Sequence, residues 1–399
     1  MNIAAAVEHA LATTPILDIH THLFSPAFGS LALSGIDEIL TYHYLEAELF
    51  RFSPISPANY RALNKREKAN LIWQTLFVEN TPISEATRGV ISILKALGLN
   101  PSTPLLQPLR DFFRDQSPAD HLTRVLRLAG VDSVVMTNDP LDPIETALWD
   151  RGVDPDPRFH AALRLDRLVN GFPDRHAELD AANVTKLRSF LDAWCTRMDP
   201  LYMAISLPDT FQFPIDDART RLLAEVVIPV CTDRNIPLAL MIGVRRQVNP
   251  ALGLAGDALG RADLRCLESL CLRFPEQRFL VSVLSRENQH ELCVYARKFR
   301  NLMPFGCWWF LNNPSMVEEI TRERIEMLGF SFIPQNSDAR ILEQLIYKWR
   351  NTRRTLVPIL TKSYELLASD GREITAADIQ RDVTRLFRTN FQQWTGLAD

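Results

Sequence analysis

The amino-acid sequence predicts an α/β fold, a (β/α)8 TIM barrel with a helical insertion after its first strand. Three observations support this fold class. Short apolar runs recur along the chain, most are separated by a segment long enough for a helix, and a long helical stretch follows the first run. Near-continuous apolar strands that alternate with helices are typical of a parallel sheet covered on both faces. Eight such units make a closed barrel.

Each apolar run is short enough to form one strand. The runs are PILDI (15–19), DSVVMT (132–137), RFHAALR (158–164), LYMAISL (201–207), PLALMIG (237–243), RFLVSVL (278–284), NLMPFGCW (301–308) and FSFIPQN (330–336). Between about residues 27 and 128, apolar residues instead recur at helical spacing, with prolines between the segments. We therefore predict a first strand within residues 1–26, a helical insertion over 27–128, and the rest of the barrel with C-terminal helices over 129–399.

Composition and charge exclude several classes of partner. The chain has 399 residues and a formal net charge of −4, without a long run of one sign, so we expect no nucleic-acid or membrane partner. No apolar run approaches the ~18 residues of a membrane span.

The N-terminus lacks a basic start, and its apolar part contains Glu8 and His9, so it does not look like a signal peptide. The six cysteines form no CxxC motif, which favours buried free thiols in a cytoplasmic protein. The sequence leaves the oligomeric state open, a homo-oligomer included.

Polar residues follow the predicted strands, where a barrel places its chemistry. His20 and His22 are alternate residues of the first strand, so both imidazoles point to the same side. Asp338 follows the last run and lies next to the first strand once the barrel closes. Imidazole and carboxylate suit zinc and similar divalent ions. We expect a metal site of His20, His22 and Asp338, the alternative being that the histidines merely end a strand.

Several motifs resemble the uronate isomerase (glucuronate isomerase) family of the amidohydrolase superfamily. ILDIHTHL (16–23) is similar to its Asp-x-His-x-His-Leu signature, VMTNDPLDPIE (135–145) to its Thr-x-Asp-Pro-x-Asp segment, and LRLDR (163–167) to its Arg-Pro-Asp. Residues 305–340 resemble its Gly-x-Trp-Trp-Phe-Asn block followed by Thr-Asp-Ser-Arg. The similarity runs in order over most of the chain. It implies a barrel, a divalent metal (usually zinc) on His20, His22 and Asp338, and a small sugar-acid substrate.

The reaction that the resemblance implies is a reversible aldose–ketose isomerisation. D-glucuronate would become D-fructuronate, or D-galacturonate would become D-tagaturonate, by proton transfer through an enediolate. Tyr44, which matches the family's His-Tyr dipeptide, or Asp338 is the candidate proton carrier. Arg164 and Arg340 supply positive charge that suits a substrate carboxylate. His43, Trp308 and Trp309 are expected beside the substrate.

Simpler interpretations of these residues stay open at this point. Arg340 could form a structural ion pair with Asp338, and Arg164 with Asp166, while Trp308 and Trp309 could belong to the core. The remaining histidines are interpreted as structural or solvated, and they are His9, His121, His160, His176 and His290.

The sequence also departs from the family's pattern. Met241 stands where the family has a histidine, residues 45–47 read Leu-Glu-Ala where it has Lys-Trp-Arg, and residues 206–211 read SLPDTF where it has Ser-Asp-His. A divergent paralogue is therefore a second interpretation. The alternative function is a mononuclear metal-dependent hydrolase, lactonase or lyase acting on another sugar acid, with Asp338 as base. No histidine lies between His176 and His290, which argues against a two-metal hydrolase.

Overall fold

A computed structural model of the chain describes residues 1–171 and 181–398, so His176 lies outside the described residues. Parallel strands form one curled sheet in chain order, as in a TIM-like fold. They are β1 (Ile16–Thr21), β2 (Val131–Asn138), β3 (Phe159–Arg164), β4 (Met203–Pro208), β5 (Leu238–Arg245), β6 (Phe279–Val283) and β7 (Leu302–Pro304). A two-residue strand, Ala258–Leu259, pairs antiparallel with β5. The first seven predicted strands are therefore found, with small differences at their ends.

Helices alternate with the strands from β2 onward and also fill the chain between β1 and β2. The helices before β2 are α1 (Ile3–Thr13), α2 (Ile36–Leu40), α3 (His43–Phe52), α4 (Pro57–Ala62), α5 (Lys65–Trp73), α6 (Glu85–Leu97), α7 (Gln107–Arg114) and α8 (Pro118–Ala129). Those between β2 and β7 are α9 (Pro143–Asp150), α10 (Asp166–Asn170), α11 (Ala181–Met198), α12 (Ala218–Leu222), α13 (Ile228–Asp233), α14 (Arg265–Arg273) and α15 (Gln289–Ala296). Those after β7 are α16 (Pro314–Leu328), α17 (Gln344–Ser369), α18 (Ala376–Thr384) and α19 (Asn390–Thr395). No helix in the described residues is both long enough and apolar enough to cross a membrane.

The strands separate two apolar layers because successive side chains of a strand point to opposite faces. In β1, Leu17 and Ile19 pack in a cluster inside the sheet together with Tyr202, whereas Ile16 packs in the larger cluster shared with the helices. All six residues of β1 are buried. The six cysteines are free and buried, as expected. The last residues of β1, His20 and Thr21, are thereby held in fully buried surroundings.

The eighth predicted strand is not formed as a strand. Its apolar run, 330–336, makes one parallel bridge, between Ile333 and Phe305. Pro334 has no N–H to donate to a ladder, which explains why the pairing stops there. The side chain of Gln335 instead accepts a hydrogen bond from the backbone N–H of Cys307 at 2.7 Å. The prediction of a regular strand over 330–336 is therefore wrong.

Backbone hydrogen bonds nevertheless connect this segment to both edges of the sheet. The N–H of Ile333 donates to the carbonyl of Pro304 in β7 at 3.0 Å. On the other side, the N–H of Asp338 donates to the carbonyl of His20 at 3.2 Å, and that of His22 donates to Ala339 at 2.7 Å. These bonds place Asp338 beside the end of β1, as predicted from the sequence.

Glu145, in the first turn of α9, is a buried carboxyl group that accepts hydrogen bonds from Asn138 Nδ2 at 3.0 Å and from the N–H of Asp139 at 3.2 Å. Burial raises the pKa of Glu145 to about 7. The folded-state pKa of Glu145 therefore exceeds its unfolded value, so folding favours the protonated carboxyl group. The contribution of this protonated group to stability is complete below the unfolded pKa and is lost as the pH rises through 7.

We expect the free energy of unfolding of the wild type to fall, relative to Glu145→Gln, by roughly 1–3 kcal/mol between about pH 5 and about pH 8. Gln keeps one acceptor oxygen but does not ionise, so the variant lacks this part of the pH dependence. Urea unfolding of both proteins across this range measures the difference. Parallel stability curves for the two proteins would contradict the assignment.

Candidate metal centre and active site

Three side chains that could bind a metal converge at the carboxyl end of the sheet. His20, His22 and Asp338 each offer one ligand atom, and these atoms lie within 4.8 Å of one another. Asp338 Oδ1 is 3.2 Å from His22 Nε2 and 4.0 Å from His20 Nε2. This oxygen is buried and has no hydrogen-bond partner among the described residues.

The backbone around Asp338 is held in an unusual conformation. Asp338 has φ = 51°, in the left-handed region that Asp and Asn tolerate better than other non-glycine residues. Just before it, the N–H of Ser337 donates to Asp18 Oδ1 at 3.0 Å, and Trp349 Nε1 donates to Asp18 Oδ2 at 2.8 Å. The buried Asp18 thus connects β1, the 337–339 segment and α17. Asp18, the first residue of the DIHTH motif, is therefore a structural anchor for His20 and His22, which follow it.

Both histidines are neutral in this environment. Burial lowers the pKa of His20 to about 3, and burial holds the pKa of His22 well below its ordinary value. The Nδ1 atoms are occupied, because His20 Nδ1 lies 2.9 Å from the Tyr202 hydroxyl and His22 Nδ1 lies 2.9 Å from the Thr137 hydroxyl. Each Nε2 faces Asp338. Two neutral imidazole nitrogens and an unpartnered carboxylate oxygen are a donor set that fits a divalent cation.

A cavity opens directly on these three residues. Its lining also includes His43, Arg164, Ser206, Met241, Arg246, Trp308, Trp309 and Arg340. Three arginines, Arg164, Arg246 and Arg340, line this small cavity and bring positive charge that suits an anionic ligand. A larger cavity, beside α8 and the turn after β1, contains His121 but no group of metal-ligating side chains among the described residues.

The cavity arginines differ in their partners. Arg164 donates from Nε at 3.0 Å and from Nη2 at 2.6 Å to Asp166 Oδ2, so the Arg164–Asp166 ion pair is present. In the described part of the chain, the guanidinium of Arg340 has no hydrogen bond or ion pair, and none joins it to Asp338. The interpretation of Arg340 as the ion-pair partner of Asp338 is thus not supported. Arg246 donates from Nη1 to Asp257 at 2.6 Å.

Aromatic residues complete the wall beside Arg246. The Arg246 guanidinium lies 5.7 Å from the Trp309 ring centre, and the Trp309 and His43 ring centres are 6.3 Å apart at a nearly perpendicular angle. Burial lowers the pKa of His43 to about 3, and its Nε2 is buried without a hydrogen-bond partner in the described chain. His43 is therefore a neutral ring at the cavity wall with one unpartnered nitrogen.

Tyr44 does not line the cavity. Its ring packs against the ring of His43, with centres 4.7 Å apart. Burial, with the nearby Tyr42 and Asp338, raises the pKa of Tyr44 well above its ordinary value, so its phenol stays protonated at neutral pH. Tyr44 thus lies behind His43, which itself lines the cavity.

Other polar residues at the strand ends form ion pairs outside the cavity. They are Asp139 with Arg167, Asp209 with Arg245, and Arg286 with Glu319. Asp139 also accepts a hydrogen bond from the N–H of Leu141 at 2.9 Å, as expected of a turn residue.

Sequence reasoning did not assign Arg246, Ser206, Thr137 or Tyr202 to the site. Arg246 and Ser206 lie at strand ends, the same signal that identified Arg164. Thr137 and Tyr202 lie on apolar runs. Thr137 reaches His22 through the pairing of β2 with β1, and Tyr202 reaches His20 through packing inside the curled sheet, neither of which the sequence reveals.

Comparisons with known proteins show which solved structures share the overall fold. The structure is similar to that of a uronate isomerase from Bacillus halodurans C-125, with 48% sequence identity, a TM-score of 0.96, and coverage of 99% of this chain and 96% of that chain. It also resembles a uronate isomerase from Thermotoga maritima (15% identity, TM-score 0.77, 98% of this chain and 97% of that chain). A glucuronate isomerase from Caulobacter crescentus has 15% identity and a TM-score of 0.77, over 100% of this chain and 94% of that chain. No family model and no curated protein sequence matches the chain.

A curled parallel sheet with a possible His-His-Asp metal site at its carboxyl end makes this a protein with a TIM-like α/β fold. Its near-complete match to a protein that is 48% identical then gives the family. The chain belongs to the uronate isomerase family and is an isomerase.

Proposed function

We propose that the chain interconverts an aldose and a ketose form of a hexuronate, D-glucuronate with D-fructuronate or D-galacturonate with D-tagaturonate. The observation that carries the proposal is the arginine-lined cavity on the convergent His20, His22 and Asp338. The full-length similarity to the Bacillus halodurans uronate isomerase supports the choice of substrate class. We interpret residues 333–339, which are hydrogen-bonded to both sheet edges, as the eighth unit of a (β/α)8 barrel, and α2 to α8 as an insertion in it.

His20, His22 and Asp338 would hold one divalent metal, for which zinc is our proposal because two imidazoles and a carboxylate are common zinc ligands. When bound, the metal supplies a Lewis acid that polarises the substrate's carbonyl or hydroxyl oxygens.

The arginines orient the substrate. Arg340 is the best candidate to bind the substrate carboxylate, because the described residues leave its guanidinium without an ion pair and a guanidinium matches a carboxylate in shape and charge. Arg164 is already held by Asp166, so it adds positive charge from a fixed position. Charge from both residues stabilises the enediolate oxygen as it becomes negative. His43, Trp308 and Trp309 form the wall along the sugar.

Asp338 is the more direct proton carrier, because its carboxylate lines the cavity and can take a proton from one carbon and return it to the next. Tyr44 would act as a proton donor, since its phenol stays protonated. Its proton would pass through His43 or a water molecule, because Tyr44 itself does not line the cavity.

Nuclear magnetic resonance of the purified protein with D-glucuronate, and separately with D-galacturonate, tests the function directly. We expect the keto acid to accumulate from at least one of them, and chelation of the metal to stop the reaction. D-glucose, which lacks the carboxylate, is the matched substrate control and should not be converted. Hydrolysis of a sugar lactone without isomerisation of either uronate would favour the mononuclear hydrolase instead.

The two arginines should respond differently to removal of their charge. Arg340→Met should raise KM and lower kcat/KM by about 10²-fold, with little change in stability, because no carboxylate in the described chain loses its partner. Arg164→Met should also lower stability, because it leaves Asp166 without its cation. Steady-state kinetics and urea unfolding of both variants make the comparison. Equal effects of the two substitutions on stability would contradict the assigned partners.

A further inference from the structure

We propose that Tyr202 and Thr137 are positioning residues that fix the tautomers of His20 and His22, so that each ring presents an unprotonated Nε2 toward Asp338. The inference rests on the proposed metal site. It concerns residues that neither line the cavity nor provide a ligand atom, and it depends on which atoms donate in two hydrogen-bonded chains.

In the first chain, the Tyr202 hydroxyl lies 2.8 Å from the carbonyl oxygen of Ile19 and 2.9 Å from His20 Nδ1. A carbonyl can only accept, and a hydroxyl has a single hydrogen. That hydrogen therefore points to Ile19, and the hydroxyl oxygen must accept from His20. His20 Nδ1 consequently carries the proton, and Nε2 is bare in the neutral ring.

The second chain has the same logic with a different residue type. Thr137 Oγ1 donates to the carbonyl oxygen of Thr21 at 2.9 Å and lies 2.9 Å from His22 Nδ1. The hydroxyl hydrogen is again used on a carbonyl, so His22 Nδ1 must be the donor. His22 Nε2 is left bare, 3.2 Å from Asp338 Oδ1.

The two chains repeat along β1. Each carbonyl belongs to the residue just before its histidine, so a hydroxyl closes a small ring between residue i−1 and the imidazole of residue i. The hydroxyls come from separate places, Thr137 from β2 and Tyr202 from the residue before β4. Tyr202 is 1% exposed and Thr137 is 4% exposed, so no bulk water competes for these bonds.

This arrangement determines metal affinity, because only the tautomer with the proton on Nδ1 offers Nε2 to a metal. Without the hydroxyl acceptor, the buried Nδ1–H loses its partner, and the ring can rotate or move its proton to Nε2. Groups that orient metal-bound imidazoles are generally worth 10–100-fold in metal affinity. We expect Tyr202→Phe and Thr137→Val each to weaken Zn²⁺ binding by about that factor, and Thr137→Ser, which keeps the hydroxyl, to restore affinity to near the wild type.

Zinc affinity is measured by competition with a chromophoric chelator, and tautomers by long-range ¹H–¹⁵N correlation in the metal-free protein labelled at histidine. The wild-type spectrum should show His20 and His22 protonated at Nδ1, and each variant should lose that pattern at its own histidine. The matched controls are Tyr364→Phe and Thr352→Val, which remove hydroxyls bonded to Asp382 and to the Lys348 carbonyl. Both controls should bind zinc as the wild type does.

Wild-type zinc affinity in Tyr202→Phe and Thr137→Val, or Nε2-protonated rings in the wild type, would overturn the inference. Failure of the wild type to bind zinc would instead count against the proposed metal site, while the spectra would still decide the tautomers. If a variant fails to fold, the wild-type spectrum still decides the inference, because it shows directly which nitrogen of His20 and His22 carries the proton.

Discussion

Asp338→Asn should lower kcat by about 10³-fold, because it removes both a negatively charged metal ligand and the most direct proton carrier. Asn is the informative substitution here, since it tolerates the left-handed backbone at φ = 51° as Asp does. In the metal-free protein we expect no loss of stability. The amide can donate a hydrogen bond to His22 Nε2, where the carboxylate oxygen has no donor.

Steady-state kinetics and denaturant unfolding of the metal-free proteins check this pair of effects. Asp209→Asn is the matched control, because Asp209 also follows a strand but pairs with Arg245 outside the cavity. Its kcat should stay close to that of the wild type. An Asp338→Asn variant with nearly wild-type kcat, or with clearly lower stability, would contradict the role given to Asp338.

The largest effect on stability is expected from Asp18→Ala. The carboxylate of Asp18 accepts hydrogen bonds from the buried N–H of Ser337 and from Trp349 Nε1, and alanine would leave both donors unpartnered. Each unsatisfied buried donor costs about 1–3 kcal/mol, so we expect a total loss of roughly 2–6 kcal/mol in the free energy of unfolding. Because Ser337 precedes Asp338, metal affinity should fall as well.

Urea unfolding measures this loss, with two reference variants. Trp349→Phe removes only one of the two donors and should destabilise the protein less, while Asp154→Ala, at an exposed position, should change stability by at most about 0.5 kcal/mol. An Asp18→Ala variant as stable as Asp154→Ala would show that Asp18 does not anchor the segment.

Much of the fold was predictable because apolar runs and helical spacing are local properties of the sequence. The same holds for His20, near the end of β1, and His22, which directly follows β1, because residues two apart in an extended chain point to one side. The eighth strand was mispredicted because its backbone forms a single bridge instead of a regular ladder of hydrogen bonds. The interruption at Pro334 is visible in the sequence, but the side-chain bond of Gln335 that takes the place of the ladder depends on the tertiary structure.

The partners of the site residues were harder to predict because they depend on register and side-chain direction. Arg164 and Asp166 are two residues apart and do form the ion pair that was considered. Asp338 and Arg340 have the same spacing but form none, because the carboxylate turns toward the histidines. Likewise, the contact of Thr137 with His22 requires β1 and β2 to be aligned to within one residue, and that of Tyr202 with His20 depends on packing inside the curled sheet.

The metal content of the purified chain, compared with that of its His22→Ala variant after identical dialysis, tests the central claim most directly. We predict about one divalent ion per chain in the wild type and only a small fraction of that in the variant, because three protein ligands are the usual minimum for a catalytic site. Equal metal content in the two proteins would contradict the assignment of His20, His22 and Asp338 as the ligands.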